Sequence, residues 1–286
     1  MKKIAVSIFV LSAMAAQAQL YGVGGTNGNY GFYSINTATG AATNLFNFSV
    51  NGTTSLVGLT YVSSTNRFVT SAQGAAFPAF ETKLVEIDLG AQTATAVSNG
   101  IPLSSNGITP YHEGLEYMAS LGGLVVSHGV GGFFSGKLAL LNPVGYGLIN
   151  TVNTSPALGD GDVVFMDGTG ALNVMDSNNP TGGFMRNRVN NPFAGSTLTG
   201  FGSNMFAAGD SDFAWKGDEG RLFLTQGGNL ATVNNTSTAI SFVGNYGVVN
   251  SDGSLGTITG IAAVPEPGTL AVLGLGALAL KRRRRS

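Results

Sequence analysis

Short apolar segments recur along the chain in pairs, and each pair begins at a Gly or an Asp and is split by a turn. Four copies are clear, starting at Gly58, Gly114, Asp162 and Asp212, so successive starts lie 56, 48 and 50 residues apart. Two further segments, again with a turn between them, follow the pair in most copies. Apolar runs this short, bounded by turn residues, favour β-strands because helices need longer runs.

Four strands in about 50 residues are typical of one blade of a β-propeller. The segment from Leu20 reads as a second strand without a first, and the segment from Thr257 reads as a first strand alone. Pairing the two completes a fifth blade and hides sheet edges that would otherwise promote aggregation. The sequence therefore predicts an all-β fold, a single propeller of five four-stranded blades closed by pairing of its N- and C-terminal strands.

Composition agrees with this fold and restricts the chemistry. The chain has 43 glycines and only 10% charged residues, which suits many tight turns. It has no cysteine, which excludes disulfides, thiolate metal sites and cysteine nucleophiles. Between the terminal segments, 7 basic against 14 acidic residues give a net charge of 7 − 14 = −7, which repels phosphate backbones and argues against a nucleic-acid partner.

The first 18 residues have the parts of a secretory signal peptide. Lys2 and Lys3 precede an apolar run, which ends in the small-x-small pattern formed by Ala16 and Ala18. The run is shorter than the roughly 20 residues of a membrane-spanning helix. We therefore expect signal peptidase to cleave after Ala18 and the chain to be exported.

Residues 264–286 combine an extended stretch, an apolar stretch and a basic run. Two prolines keep the first part extended and accessible to an enzyme. The apolar stretch from Thr269 to Leu280 partitions into a bilayer, and the basic run holds the end in the cytoplasm. The basic residues are Lys281, Arg282, Arg283, Arg284 and Arg285.

This three-part segment resembles the PEP-CTERM sorting signal, whose hallmark triplet stands here as Pro265, Glu266 and Pro267. The resemblance implies recognition by an exosortase, a membrane transpeptidase, then removal of the segment and delivery to the outer envelope or extracellular matrix. It also implies a Gram-negative bacterium that makes exopolysaccharide. A permanent tail anchor is the alternative, although about twelve apolar residues span a bilayer poorly.

Three regions are thus expected: a cleaved signal peptide at 1–18, the propeller body at 19–263 and the sorting segment at 264–286. Within the body, the turn phrase from Ser34 to Gly40 resembles the repeats of secreted bacterial β-propellers. That resemblance implies an architecture and carries no activity with it.

Propellers usually bind ligands on loops at the mouth of the central channel, beside the innermost strands. The first strand of each copy is expected to be innermost. Aligning the copies brings acidic side chains and one imidazole together just before or at the start of that strand. They are His112, Glu113, Asp160, Asp162, Asp210 and Asp212.

Two interpretations of this group are open. Carboxylates suit a hard cation such as calcium, which takes about six to eight oxygen ligands, so a calcium site is one hypothesis. The other is that these residues stand in turns and bond their own backbone, as short acidic side chains often do. Aromatic residues at one place in each copy are interpreted as core packing between blades, in preference to the alternative of sugar-stacking platforms. They are Tyr61, Tyr117, Phe165 and Trp215.

Three functions fit these patterns. The first is a noncatalytic surface or matrix protein whose propeller binds exopolysaccharide or another envelope component, helped by calcium. The second is a secreted hydrolase or lyase acting on glycans or lactones with the acidic group. The third is a structural component without a small ligand. A serine hydrolase is disfavoured because the chain has two histidines and no Gly-x-Ser-x-Gly elbow, and no catalytic residue is assigned.

Overall fold

The computed structural model describes eleven stretches of the body. They are 19–74, 82–97, 111–129, 137–153, 164–176, 185–194, 199–202, 211–226, 228–234, 239–247 and 256–264.

Within these stretches the chain forms twenty strands and one three-residue 3₁₀ turn at Pro192–Ala194. None of the described residues belongs to a helix long and apolar enough to cross a membrane. In chain order the strands are β1 (Gln19–Thr26), β2 (Asn29–Ile35), β3 (Ala42–Ser49), β4 (Thr53–Val62), β5 (Arg67–Gly74), β6 (Thr82–Asp88), β7 (Thr93–Val97), β8 (Tyr111–Met118), β9 (Gly123–Gly129), β10 (Lys137–Leu141), β11 (Leu148–Asn153), β12 (Val164–Met166), β13 (Leu172–Asp176), β14 (Met185–Val189), β15 (Thr199–Gly202), β16 (Ser211–Lys216), β17 (Arg221–Gln226), β18 (Asn229–Val233), β19 (Ile240–Asn245) and β20 (Ile258–Val264).

The strands form five antiparallel four-stranded sheets, which are the blades. Four sheets consist of consecutive strands, namely β4 to β7, β8 to β11, β12 to β15 and β16 to β19. The fifth has the order β20, β1, β2, β3, so the last described strand pairs with the first. In that pairing Gln19 lies opposite Val264 and Leu20 opposite Ala263. The five-bladed propeller and its closure by the terminal strands are confirmed.

The first strand of each copy lies innermost, as the sequence predicts. β4, β8, β12, β16 and β20 contact one another around the axis, each touching the innermost strand of the next blade. Burial follows position in the blade. In β17, a second strand, Leu222, Phe223 and Leu224 are consecutive and all buried, because neighbouring blades cover both faces. The outermost strands β7 and β11 are largely exposed.

Apolar packing between blades holds the ring together. Five clusters of buried residues are found among the described residues, and each joins two adjacent blades. In one of them Phe32 of β2 packs with Leu56 of β4 and Phe68 of β5, and the rings of Phe32 and Phe68 lie 4.9 Å apart. Without disulfides, this packing is what fixes the innermost strands around the channel.

Candidate functional site

The innermost strands enclose a cavity of about 410 Å³ on the axis, which we call the mouth cavity. It is lined by the C-terminal parts of β4, β8, β12, β16 and β20, and by the turns that follow β4, β8 and β12. All five blades therefore contribute to one site. Its volume lies within the range of small-ligand pockets, about 300–1,000 Å³.

Three aromatic side chains line the mouth cavity and are partly exposed: Tyr61 on β4, Tyr117 on β8 and Trp215 on β16. The Trp215 ring lies against the backbone of Gly168, where any Cβ would overlap it. The hydroxyl of Tyr61 donates a hydrogen bond to Oδ1 of Asn66, at 2.7 Å. Contacts with the turns thus orient two of the three rings before any ligand arrives.

These rings correct one interpretation of the sequence. Core packing is right for Phe165, which is fully buried and stacks on Phe213 with ring centroids 4.5 Å apart. It is incomplete for Tyr61, Tyr117 and Trp215, because they pack against the core on one side and line the cavity on the other.

Glu116 on β8 places a carboxylate at the mouth cavity. The hydroxyl of Thr60 on the neighbouring β4 bonds to this carboxylate and also accepts the Tyr117 N–H at 3.0 Å. Burial raises the pKa of Glu116 well above its usual value, and the nearby Asp212 raises it further, while the bond with Thr60 acts in the opposite direction. The side chain is still partly exposed to the cavity, so a ligand can reach it.

Asp212 on β16 lies directly behind the cavity wall and is 1% exposed. Its Oδ2 accepts the N–H of Leu59 at 2.9 Å and the N–H of Ile261 at 2.8 Å, and its Oδ1 accepts the N–H of Phe213 at 2.8 Å. Burial raises the pKa of Asp212 to about 8, although the three N–H bonds act to lower it. One side chain therefore ties β16 to β20 and to β4 at the axis.

A pair of glycines makes this arrangement possible. A Cβ at Gly260 on β20 would come within 2.6 Å of the carbonyl group of Gly58 on β4, so the two backbones touch there. Gly58 itself has a φ of +66°, which an L side chain rarely adopts. The N–H groups that bond to Asp212 belong to the residues that follow these glycines, Leu59 and Ile261.

The structure describes only part of the predicted acidic group. Asp160, Asp162 and Asp210 lie outside the described residues. His112 and Glu113 are placed on β8, with the backbone of His112 opposite that of His128 on β9. Asp212 is the member whose side chain is described, and its oxygens accept backbone N–H groups. Among the described residues no three acidic, histidine or cysteine side chains cluster as metal ligands. The calcium site stays a prediction.

The two terminal segments also lie outside the described residues. This concerns the cleavage residues Ala16 and Ala18, and the triplet from Pro265 to Pro267 with the apolar and basic stretches that follow it. The described chain nevertheless places their attachment points. Gln19 and Val264 are paired neighbours on β1 and β20, and Ala263 lines the mouth cavity.

A comparison with known families decides what the last segment is. Residues 263–285 match the PEP-CTERM protein-sorting motif. The PEP-CTERM motif implies that the protein is exported, that its C-terminus is a membrane anchor before processing, and that an exosortase sorts it. The match begins at Ala263, inside β20, so the motif adjoins the propeller without a linker. No curated protein sequence matches the chain.

Solved structures with similar folds include two candidate 6-phosphogluconolactonases. One, from Bacteroides uniformis ATCC 8492, is 12% identical, covers 83% of this chain and 88% of its own, and superposes with a TM-score of 0.42. The other, from Bacteroides fragilis NCTC 9343, is 10% identical, covers 88% of this chain and 99% of its own, and has a TM-score of 0.44. Likeness at such identities extends to no activity.

Sequence reasoning missed the cavity because it placed the site where the innermost strands begin, whereas the cavity lies where they end. One signal was present. Glu116 is a charged residue inside an otherwise apolar segment, Gly-Leu-Glu-Tyr-Met from Gly114. A charge at such a position is costly unless it faces a channel or a partner.

Proposed function

We propose that this exported protein is a noncatalytic component of the cell envelope or extracellular matrix, and that its mouth cavity binds exopolysaccharide. The observation that carries the proposal is the set of three aromatic side chains, from three different blades, around one cavity on the axis. Aromatic rings offer flat apolar faces against which the C–H faces of sugar rings pack. Because the rings stand on innermost strands, they are held more rigidly than residues on loops.

Polar groups for sugar hydroxyls stand beside the rings. Ser63 and Ser120 lie in the turns around the cavity, and Glu116 and the tyrosine hydroxyls add acceptors and donors. A mostly apolar pocket with a few polar groups is the usual form of a small-ligand site. The sorting motif supports the proposal, since it directs the protein to the compartment in which such a polymer lies.

The enzymatic alternative needs two carboxyl groups that both face the substrate, roughly 5–10 Å apart. Glu116 faces the cavity, but Asp212 is enclosed and its oxygens accept three N–H groups. Among the described residues the geometry therefore favours binding over hydrolysis. An acidic site that included Asp160 and Asp210 would use residues that precede β12 and β16 in the sequence, and both lie outside the described residues.

Trp215 is the only tryptophan in the chain, so its fluorescence reports on the mouth cavity alone. We expect exopolysaccharides, tested as a panel of neutral, acidic and amino-sugar polymers, to shift the emission of the full-length protein. Tyr117→Ala should weaken binding about threefold to tenfold, because it removes one stacking face and leaves the reporter in place. Titration of the emission gives both affinities.

Phe242→Ala is the matched control, since this aromatic side chain is 69% exposed on the outermost strand β19. Equal losses in the two variants would contradict the proposal. Release of new reducing ends from a bound polymer would instead support the enzyme. Repeating the titration with a calcium chelator tests whether the predicted calcium contributes, since its removal should then weaken binding.

A further inference from the structure

Glu116 is the one charged side chain among the described residues that line the mouth cavity. No described lysine or arginine lies close enough to lower its pKa. Lys216, which follows Trp215 on β16, is 3% exposed and bonds to Asp218 at 2.6 Å and Glu219 at 2.8 Å. The carboxyl group of Glu116 at the cavity therefore has no basic partner within the described part of the body.

The surroundings favour a cation beside this carboxyl group. Burial and the nearby Asp212 raise the pKa of Glu116, so its ionised form lacks the stabilisation that a bound cation would supply. The body as a whole has an excess of seven acidic residues, 7 − 14 = −7. A sugar that carries a carboxylate, sulfate or phosphate would be repelled at this place, whereas a cation would supply the charge that the cavity lacks.

The aromatic residues point to the same kind of ligand. The faces of Tyr and Trp rings attract ammonium groups within about 6 Å, most strongly where water is excluded. Tyr61, Tyr117 and Trp215 lie around the same cavity as Glu116. A sugar ring with an amino substituent meets both needs, because its C–H face packs on the rings while its ammonium group pairs with the carboxylate.

We infer that the mouth cavity takes a glycan unit that carries a protonated amino group, with Glu116 as its ion partner and the three aromatic side chains as its walls. The inference rests on the proposed function and names the class of sugar. A glucosamine unit whose amino group is free is the simplest glycan of this class. An N-acetylated unit has the same ring and lacks the charge.

The test compares three probes of equal length on the full-length protein in mild detergent: a glucosamine hexamer, its fully N-acetylated form and hexalysine. Titration of Trp215 emission measures each affinity. We expect the glucosamine hexamer to bind at least about tenfold more tightly than the acetylated one, as a charge-assisted hydrogen bond allows. Glu116→Gln keeps the size of the side chain and removes its charge, so it should abolish the preference for the glucosamine hexamer over the acetylated one.

Thermal unfolding of Glu116→Gln shows whether the variant is folded. If it is not, the order of the two hexamers on the wild-type protein decides, since that comparison needs no variant. Equal or tighter binding of the acetylated hexamer overturns the inference, as does a preference that survives in Glu116→Gln. Hexalysine binding as tightly as the glucosamine hexamer also overturns it, and would assign the cavity to basic peptides.

Failure of the inference and failure of the proposed function give different results. If the acetylated hexamer shifts Trp215 emission and Tyr117→Ala weakens it, the cavity binds glycans without regard to charge, and the proposed function stands while the inference fails. If no glycan shifts the emission or competes with one that does, both fail.

Discussion

Asp212 shows how much of this fold depends on single residues at the axis. Its two oxygens accept N–H groups from β4, β16 and β20, so three of five blades meet at one side chain. Those N–H groups are buried, and a buried donor without an acceptor costs about 1–3 kcal/mol. The residue therefore stabilises the ring, although the charged form of a carboxylate is itself costly to bury.

We predict that Asp212→Asn lowers the free energy of unfolding by about 1–3 kcal/mol, because the amide places a donor opposite an N–H group. The wild type should also lose stability as pH rises from about 4 to about 8. Its folded pKa is raised to about 8, so between the two pKa values the folded state holds a proton that the unfolded chain has released, with a slope of at most about 1.4 kcal/mol per pH unit.

Chemical unfolding of both proteins between pH 4 and pH 9 checks this. Glu116 and Tyr246 face Asp212 and have raised pKa values in the wild type, so the comparison is the difference between the two curves. A difference that stays constant over this range would contradict the assignment of the slope to Asp212.

Sequence reasoning singled out Asp212 but assigned it to metal binding or turn chemistry. Both interpretations give Asp212 partners in its own turn or in neighbouring loops. Its actual partners Leu59 and Ile261 lie 153 and 49 positions away in the sequence. Backbone donors leave no mark in the sequence, because every residue except proline has one. Glu116 was missed for the opposite reason: its residue type was informative, but only the ring of blades shows that it faces a channel.

At the scale of the strands, the close approach of β20 to β4 decides how tightly the ring closes. Gly260 and Gly58 meet backbone to backbone, and Leu59 and Ile261 follow them with the N–H groups that Asp212 accepts. A side chain at Gly260 would separate the two innermost strands. The blades would then move apart at the interface where the ring closes.

We predict that Gly260→Ala destabilises the protein by about 1–3 kcal/mol, since overpacking forces the backbone to move. The control is Gly147→Ala, because Gly147 has open space around its Cβ position and a φ outside the left-handed region. Thermal unfolding of both variants measures the effect. The packing argument is wrong if the two midpoints shift equally.

The strands were predictable because each one is indicated by its own apolar residues and by the turn residues beside it in the sequence. The repeat then shows whether a strand is the first, second, third or fourth of its blade. The third copy, from Asp162, departs from the alignment. Met166 pairs with Leu172 on β12 and β13, which leaves five residues in the turn, whereas Lys216 and Arg221 enclose four. The extra residue shifts the register by one, so Met166 lines the cavity, whereas Phe165, which the alignment placed with Tyr61, Tyr117 and Trp215, is buried.

At the scale of the whole molecule, an apolar interface joins each blade to the next all the way around the ring. One of the blades contains strands from both ends of the body. β20 pairs with β1, packs against β4 and β16, and donates the Ile261 N–H to Asp212. The sequence showed this closure because each end lacked the part of a blade that the other end had. The cavity on the axis was not visible at that level, since it exists only after five separate strands meet.

We predict that a chain ending at residue 255 loses most of its stability, which is about 5–15 kcal/mol for a typical protein, whereas a chain ending at Val264 keeps it. The shorter chain lacks β20 and leaves the edge of β1 open, which promotes aggregation. Circular dichroism during heating and light scattering compare the two. Equal midpoints would show that closure contributes little.

The pairing of Gln19 with Val264 also sets an order of events during export. These two residues are 264 − 19 = 245 positions apart, so β1 crosses the membrane long before its partner does. The four blades made of consecutive strands can form as they emerge. Over that time one edge of β1 has no partner, because β20 has not yet been exported. The ring can close only after β20 has emerged, and β20 contains the start of the sorting motif, so the body cannot be complete before that motif begins to leave the membrane.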